Sequence, residues 1–210
     1  MSASNPSKQP IRYLALGDSY TIGESVAEGE RWPNQLVAML AGEDIQTEVT
    51  IVARTGWTTN ELWLGIQADP PQETFDLVFL LIGVNNQYRG YDIVEYREQF
   101  RFLLNKSIEY AGGDANRVIV LSIPDWGVTP FASGRDRGQI AKEINAFNLA
   151  NREEAEKAGV HFVDVTPVSR EAANDPTLIA SDGLHPSGKM YAEWARLVLP
   201  EALKILKAAK

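Results

Sequence analysis

The sequence predicts an α/β fold: a three-layer α/β/α sandwich around a five-stranded parallel sheet in flavodoxin-like order. Three observations carry that reading. Apolar runs of strand length alternate with longer segments of helical periodicity, the pattern of a parallel sheet covered by helices on both faces. Several of these runs are almost continuously apolar, as strands buried on both sides must be. After residue 10 there is no repeat, low-complexity tract or linker, and the remainder of a 210-residue chain suits one domain with a sizeable core.

Residues 1–10, MSASNPSKQP, are polar and rich in Pro and Ser. They are expected to be a disordered lead-in, and they lack the apolar stretch of a secretory signal. A single domain is expected over residues 11–210. Its strands are predicted at Ile11–Leu16, Glu48–Ala53, Phe75–Ile82, Arg117–Ile123 and His161–Val165. Helices are predicted at Trp32–Ala41, Asn60–Gln67, Ile93–Ala111, Gln139–Ala158 and from about Ser187 to the C-terminus. In the third of these, Ile93, Tyr96, Phe100, Leu103, Leu104 and Ile108 repeat with the 3.6-residue period of an amphipathic helix. Pro200 is expected to kink or divide the last one, because proline lacks an N–H and clashes with the preceding turn.

Composition narrows the function. The chain has no cysteine, which excludes disulfides, thiolate metal sites and a cysteine nucleophile. A net charge of -8 argues against nucleic acid and against docking on anionic membranes, both of which need a concentrated basic face. No apolar run is long enough to span a bilayer. The expectation is a soluble protein, cytoplasmic as the sequence stands, with export open if a leader has been removed. Its oligomeric state is unconstrained.

In open α/β sheets, ligands bind beyond the carboxyl ends of the strands. The segments that leave those ends are therefore the informative ones. In order, they are Gly17-Asp18-Ser19-Tyr20, Arg54-Thr55-Gly56-Trp57, Gly83-Val84-Asn85-Asn86, Pro124-Asp125-Trp126 and, past a loop, Asp182-Gly183-Leu184-His185-Pro186. All five fall on one edge of the sheet. A serine hydrolase needs an exposed hydroxyl, a base, a group that orients the base, and oxyanion donors. Ser19 leaves a strand through a glycine. His185 is the histidine outside a predicted strand, and Asp182 lies three residues before it, within reach of Nδ1–H. The N–H groups of Ser19 and Gly56 and the side-chain amide of Asn85 can converge on a developing oxyanion.

The set resembles the SGNH hydrolase superfamily of GDSL-like esterases and lipases. The family's G-D-S block matches Gly17-Asp18-Ser19, its second-block glycine matches Gly56, and its D-x-x-H block matches Asp182 to His185. Its G-x-N-D block matches Gly83-Val84-Asn85 but has Asn86 where aspartate is usual. That departure leaves the triad and oxyanion donors untouched and bears on the hydrogen bonds that brace the loop. Four blocks in order, each after the appropriate strand, make the resemblance specific, and it runs from Ile11 to the last helix. It implies a metal- and cofactor-free hydrolysis of small ester substrates by Ser19, His185 and Asp182. Short acyl or aryl esters, lysophospholipids and thioesters are all within the family's range. Ser122 to Phe131 is similar to lipase- and lysophospholipase-like members.

Each of these residues also has a plain structural reading. Ser19 could cap a helix, Asn85 and Asn86 could be turn residues, and Asp182 could form an Asx-turn. His161, Trp63 and Trp194 read as structural. Trp32, Trp57, Trp126 and Phe131 are candidates for a small, fairly open substrate pocket. Arg135-Asp136-Arg137 reads as a solvated helix start. Two alternatives differ in class: a carbohydrate O-acetyl esterase, and a non-catalytic flavodoxin-like binding module.

Overall fold

The computed structural model describes residues 9–208. The polar lead-in expected over residues 1–10 therefore falls, except for its last two residues, outside the described residues. Five strands form one sheet: β1 (Ile11–Gly17), β2 (Thr47–Ala53), β3 (Leu77–Leu81), β4 (Val118–Leu121) and β5 (His161–Val163). All are parallel, in the order β2-β1-β3-β4-β5, which is the predicted flavodoxin-like order. Every residue of β3 and β4 is fully buried, which is why these segments read as unbroken apolar runs. The edge strand β2 instead alternates and turns Glu48 and Thr50 to solvent.

The described residues form eight α-helices. They are α1 (Ser19–Ile22), α2 (Trp32–Gly42), α3 (Thr59–Ala68), α4 (Val84–Tyr88), α5 (Ile93–Tyr110), α6 (Arg137–Ala158), α7 (Thr166–Arg170) and α8 (Gly188–Ala208). Crossovers between parallel strands are right-handed. The step from β1 out to β2 therefore puts α2 on one face. The steps back across β3, β4 and β5 put α3, α5 and α6 on the other. The final helix α8 returns to lie along α2. Between α2, α8 and the sheet, the buried Trp32, Leu36, Leu40, Tyr191, Trp194 and Val198 fill one half of the core. On the other face, Tyr96 and Phe147 stack at 4.4 Å between centroids, joining α5 to α6.

Most helix limits follow local chemistry. Thr58 caps α3, accepting from the Glu61 N–H, while the Glu61 carboxylate accepts from the Thr58 N–H. Asp136 caps α6 by accepting from the Gln139 N–H at 2.9 Å, so Arg135-Asp136-Arg137 does open a helix. The short helices α1, α4 and α7 are not predicted from the sequence, because four or five residues are too few to show a 3.6-residue period.

Pro200 does not divide the last helix, since α8 runs as one element with the proline inside it. Val198 and Ala202, two residues to either side, are fully buried. Packing against α2 and the sheet thus holds the helix through a residue that disfavours it. Restoring the missing donor should add stability. Pro200→Ala is expected to raise the unfolding free energy by about 1–3 kcal/mol in chemical denaturation.

Candidate active site

The chain winds to one side of β1 and to the other side of β3, so a crevice opens at the carboxyl ends of these two neighbouring strands. Register places Gly17 of β1 level with Leu81 of β3 and with Ala53 of β2. Ser19, Gly56 and Asn85 come within a few positions of these three residues and emerge at one height.

Gly17 must be glycine for reasons of space. A Cβ there would lie 2.1 Å from Thr21 Oγ1 and 2.5 Å from the Leu81 carbonyl oxygen. The tight exit it permits leads straight into α1. Asp18 caps that helix by accepting from the Tyr20 N–H at 3.0 Å, and Ser19 is its first residue, only 4% exposed. An N–H in the first turn of a helix has no intrahelical acceptor. Gly56, with φ of +83°, sits in the left-handed region that glycine adopts without strain. Neither the Ser19 N–H nor the Gly56 N–H has a backbone acceptor among the described residues.

Helix α4 carries Asn85 to the same place and fastens the Gly56 loop to it. Asn85 Nδ2 donates to the Trp57 carbonyl at 2.9 Å and lies 3.4 Å from Asp18 Oδ2. Arg89 donates to the Gly56 carbonyl at 2.6 Å and pairs with Glu61 at 3.1 Å. Asn86, fully buried, accepts from the Thr59 N–H at 3.0 Å and donates to Thr59 Oγ1 at 2.8 Å, and that hydroxyl donates onward to Gln99. The brace usually supplied by an aspartate is therefore present here with an amide. The amide both accepts and donates, and no charge is buried.

His185 and Asp182 arrive from a separate loop. An isolated antiparallel bridge between Ile179 and Pro186, with the Ala180 N–H bonded to the His185 carbonyl at 2.8 Å, closes that loop just before α8. Asp182 Oδ1 accepts from the N–H groups of Leu184 and His185, each at 2.9 Å, and this turns the chain. Asp182 Oδ2 lies 2.6 Å from His185 Nδ1. The Asx-turn and the imidazole contact thus both exist, one on each oxygen. His185 is 7% exposed and packs against the Tyr20 ring at 5.2 Å. His161, by contrast, has its Nδ1 3.1 Å from Glu201 Oε2 of α8, away from the cleft.

Two acids here depart from ordinary carboxylate behaviour, in opposite directions. Burial pushes Asp18 up to about 7, against the hydrogen bonds it accepts. Partial burial works the same way on Asp182, but it is outweighed by the bonds from His185, Leu184 and Ser25, which hold its carboxyl below the usual range. By linkage, the Asp18 contribution to stability is full at acid pH and is lost as pH rises towards about 7. The Asp182 contribution is present above the normal carboxylate range and is lost as pH falls.

Ser19, Gly56, Asn85 and His185 line one cleft of about 150 Å³ together with Tyr20, Thr55, Val84, Tyr88, Trp126, Phe131 and Leu184. Of the four expected pocket aromatics, Trp126 and Phe131 are in it. Trp32 and Trp57 are not. Trp32 is fully buried against Phe79 of the central strand β3, at 5.5 Å between centroids. Trp57 turns its ring onto α3, where it occupies the space a Cβ on Gly65 would need. Tyr88 was legible in principle, one helical turn beyond Asn85. Ser25, which donates to Asp182 Oδ2 at 2.7 Å, left no signal in the sequence.

The chain belongs to the GDSL-like Lipase/Acylhydrolase family, whose model matches residues 15–193. It is accordingly an ester hydrolase of the SGNH type. No curated protein matches its sequence. Among solved structures, the fold is similar to TesA, with a TM-score of 0.73 and 19% identity over 92% of this chain and 99% of that one. It is also similar to Axe2, an acetylxylan esterase from Geobacillus stearothermophilus, with a TM-score of 0.71 and 21% identity over 91% and 94%. A lipase/acylhydrolase from Enterococcus faecalis gives a TM-score of 0.70 and 20% identity over 91% and 94%. No helix among the described residues is long and apolar enough to cross a membrane.

The Asn86 brace yields a direct test. Asn86→Ala strands the Thr59 N–H in a buried site and is expected to cost about 2–3 kcal/mol of stability. Activity should fall beyond what the lost folded fraction explains, because Asn85 and Gly56 lose their common support. Thermal melts and kcat on folded protein would show both effects.

Proposed function

We propose that the protein hydrolyses small carboxylic esters through an acyl-enzyme, with Ser19 as nucleophile, His185 as base and Asp182 as the orienting acid. The observation that carries this reading is the 2.6 Å contact between His185 Nδ1 and Asp182 Oδ2, at the edge of a cleft that also holds Ser19. With Nδ1–H committed to the carboxylate, Nε2 is left as the proton acceptor.

Ser19 Oγ attacks the ester carbonyl as His185 Nε2 takes its proton. The carbonyl oxygen becomes an oxyanion among the Ser19 N–H, the Gly56 N–H and Asn85 Nδ2. For Asn85, the long contact to Asp18 Oδ2 is the one the oxyanion replaces, while the bond to the Trp57 carbonyl keeps the amide aimed. The alcohol departs with the proton from His185. Water, deprotonated by the same base, then attacks the acyl-enzyme, and collapse of the second tetrahedral intermediate frees the acid and Ser19.

A cleft of about 150 Å³ walled by Val84, Tyr88, Trp126, Phe131 and Leu184 suits a short acyl or a small aryl group. Its aromatic wall is braced from the side: the Arg135 guanidinium lies 5.1 Å, 5.4 Å and 5.7 Å from the rings of Tyr88, Trp126 and Phe131. The same dimensions admit an acetyl group, so carbohydrate O-deacetylation is the second reading. It is separated from the first by comparing acetylated xylo-oligosaccharides with aryl butyrates as substrates.

Ser19→Ala and His185→Ala are each expected to lower kcat by on the order of a thousandfold or more with the thermal melt preserved. Either variant turning over p-nitrophenyl butyrate like the wild type would remove that residue from its role. Across p-nitrophenyl acetate, butyrate, octanoate and decanoate, kcat/KM should peak at acetate or butyrate. Phe131→Ala, which removes a ring 43% exposed at the mouth, should move that peak towards longer chains.

A further inference from the structure

We propose that Ser25 is a positioning residue for the reaction, holding the Asp182 carboxylate through a hydrogen bond to the same oxygen that orients His185. The inference rests on the roles proposed above for Ser19, His185 and Asp182. Ser25 Oγ donates to Asp182 Oδ2 at 2.7 Å, and His185 Nδ1 meets that oxygen at 2.6 Å. The other oxygen, Oδ1, is fully engaged by two backbone N–H groups. Ser25 is thus the second donor that fixes Oδ2. Without it, that oxygen keeps one partner, and the partner is the ring it is meant to orient.

The backbone gives independent support. Nine glycines among the described residues have positive φ, and only two other residues do: Ser25 at 65° and Asp44 at 59°. Asp44 lies in the reversal that ends α2, where the Ile45 N–H bonds back to the Leu40 carbonyl at 3.0 Å. At residue 25, glycine would adopt the conformation at no steric cost, as it does two residues earlier at Gly23. Serine is held there against its backbone preference, and it provides the hydroxyl on Asp182 that glycine cannot. Strained positions of this kind gather at active sites.

Ser25 lies outside the cleft lining, so its loss should leave substrate binding alone. Losing its hydrogen bond leaves Oδ2 of the carboxylate less firmly held against the ring it orients.

The experiment compares kcat and KM of wild type, Ser25→Ala, Ser25→Gly and Ser19→Ala on p-nitrophenyl butyrate, with thermal melts. Ser25→Ala and Ser25→Gly should both lose about tenfold in kcat, the order of one hydrogen bond to a charged group. KM should hold. Ser25→Gly, which relieves the left-handed strain, should melt no lower than wild type. Wild-type kcat in Ser25→Gly would overturn the proposal, whatever Ser25→Ala does. Undiminished turnover by Ser19→Ala would instead sink the underlying assignment of the nucleophile.

Discussion

Strands β1 and β3 are neighbours, yet the chain leaves them towards opposite faces of the sheet. Helices on the two faces diverge there, and no crossover can cover the gap at the carboxyl ends. Everything at the site depends on this reversal. The loops after β1 and β3 are the ones that border the opening, and they carry Ser19 and Asn85. The loop after β2 reaches it because β2 is paired to β1 in register, Ala53 beside Gly17. The segment after β5 reaches it only by a detour, and α8 must dock beside α2 to hold it in place.

The opening is kept in shape by polar groups that satisfy one another. Asn85, Asn86 and Arg89 fasten one short helix to the Gly56 loop, each through a backbone group or a hydroxyl of that loop or of the start of α3. Buried polar networks of this kind are stabilising when every member has a partner and costly when one is missing. The placing of Gly56 and Asn85 and the local stability of the fold therefore rest on the same bonds. Asp182 shows the same economy, since one oxygen turns the loop and the other faces the imidazole.

Much of this was legible in the sequence. Fold class, strand order and the five long helices followed from the spacing of apolar residues, because burial on one or both faces writes a period into the chain. That Ser19, Gly56, Asn85 and His185 meet at one cleft, with Asp182 against the imidazole, was legible because each follows a strand or lies close to its partner. Other features had no local trace. Whether Trp32 and Trp57 face the cleft or the core depends on how helices seat on the sheet, and both turned inward. Asn86 could be recognised as a departure, but its compensation through Thr59 and Gln99 joins residues far apart in the chain. Ser25 is paired across nearly the whole sequence with Asp182 and lies in no periodic element. Pro200 was read from its intrinsic preference, which tertiary packing overrode.

Asp182 and His185 stand three residues apart and are joined by a turn of their own, whereas Ser19 comes from the opposite end of the chain. The Asp182–His185 contact is closed by its own turn, whereas Ser19 is placed by the exit from β1. They meet only when the carboxyl-terminal segment from Ile179 through α8 is seated. Under the proposed roles, activity would then report on the docking of that last segment. A molecule whose final helix was detached would lose Tyr191, Trp194 and Val198 from the core and part His185 from Ser19.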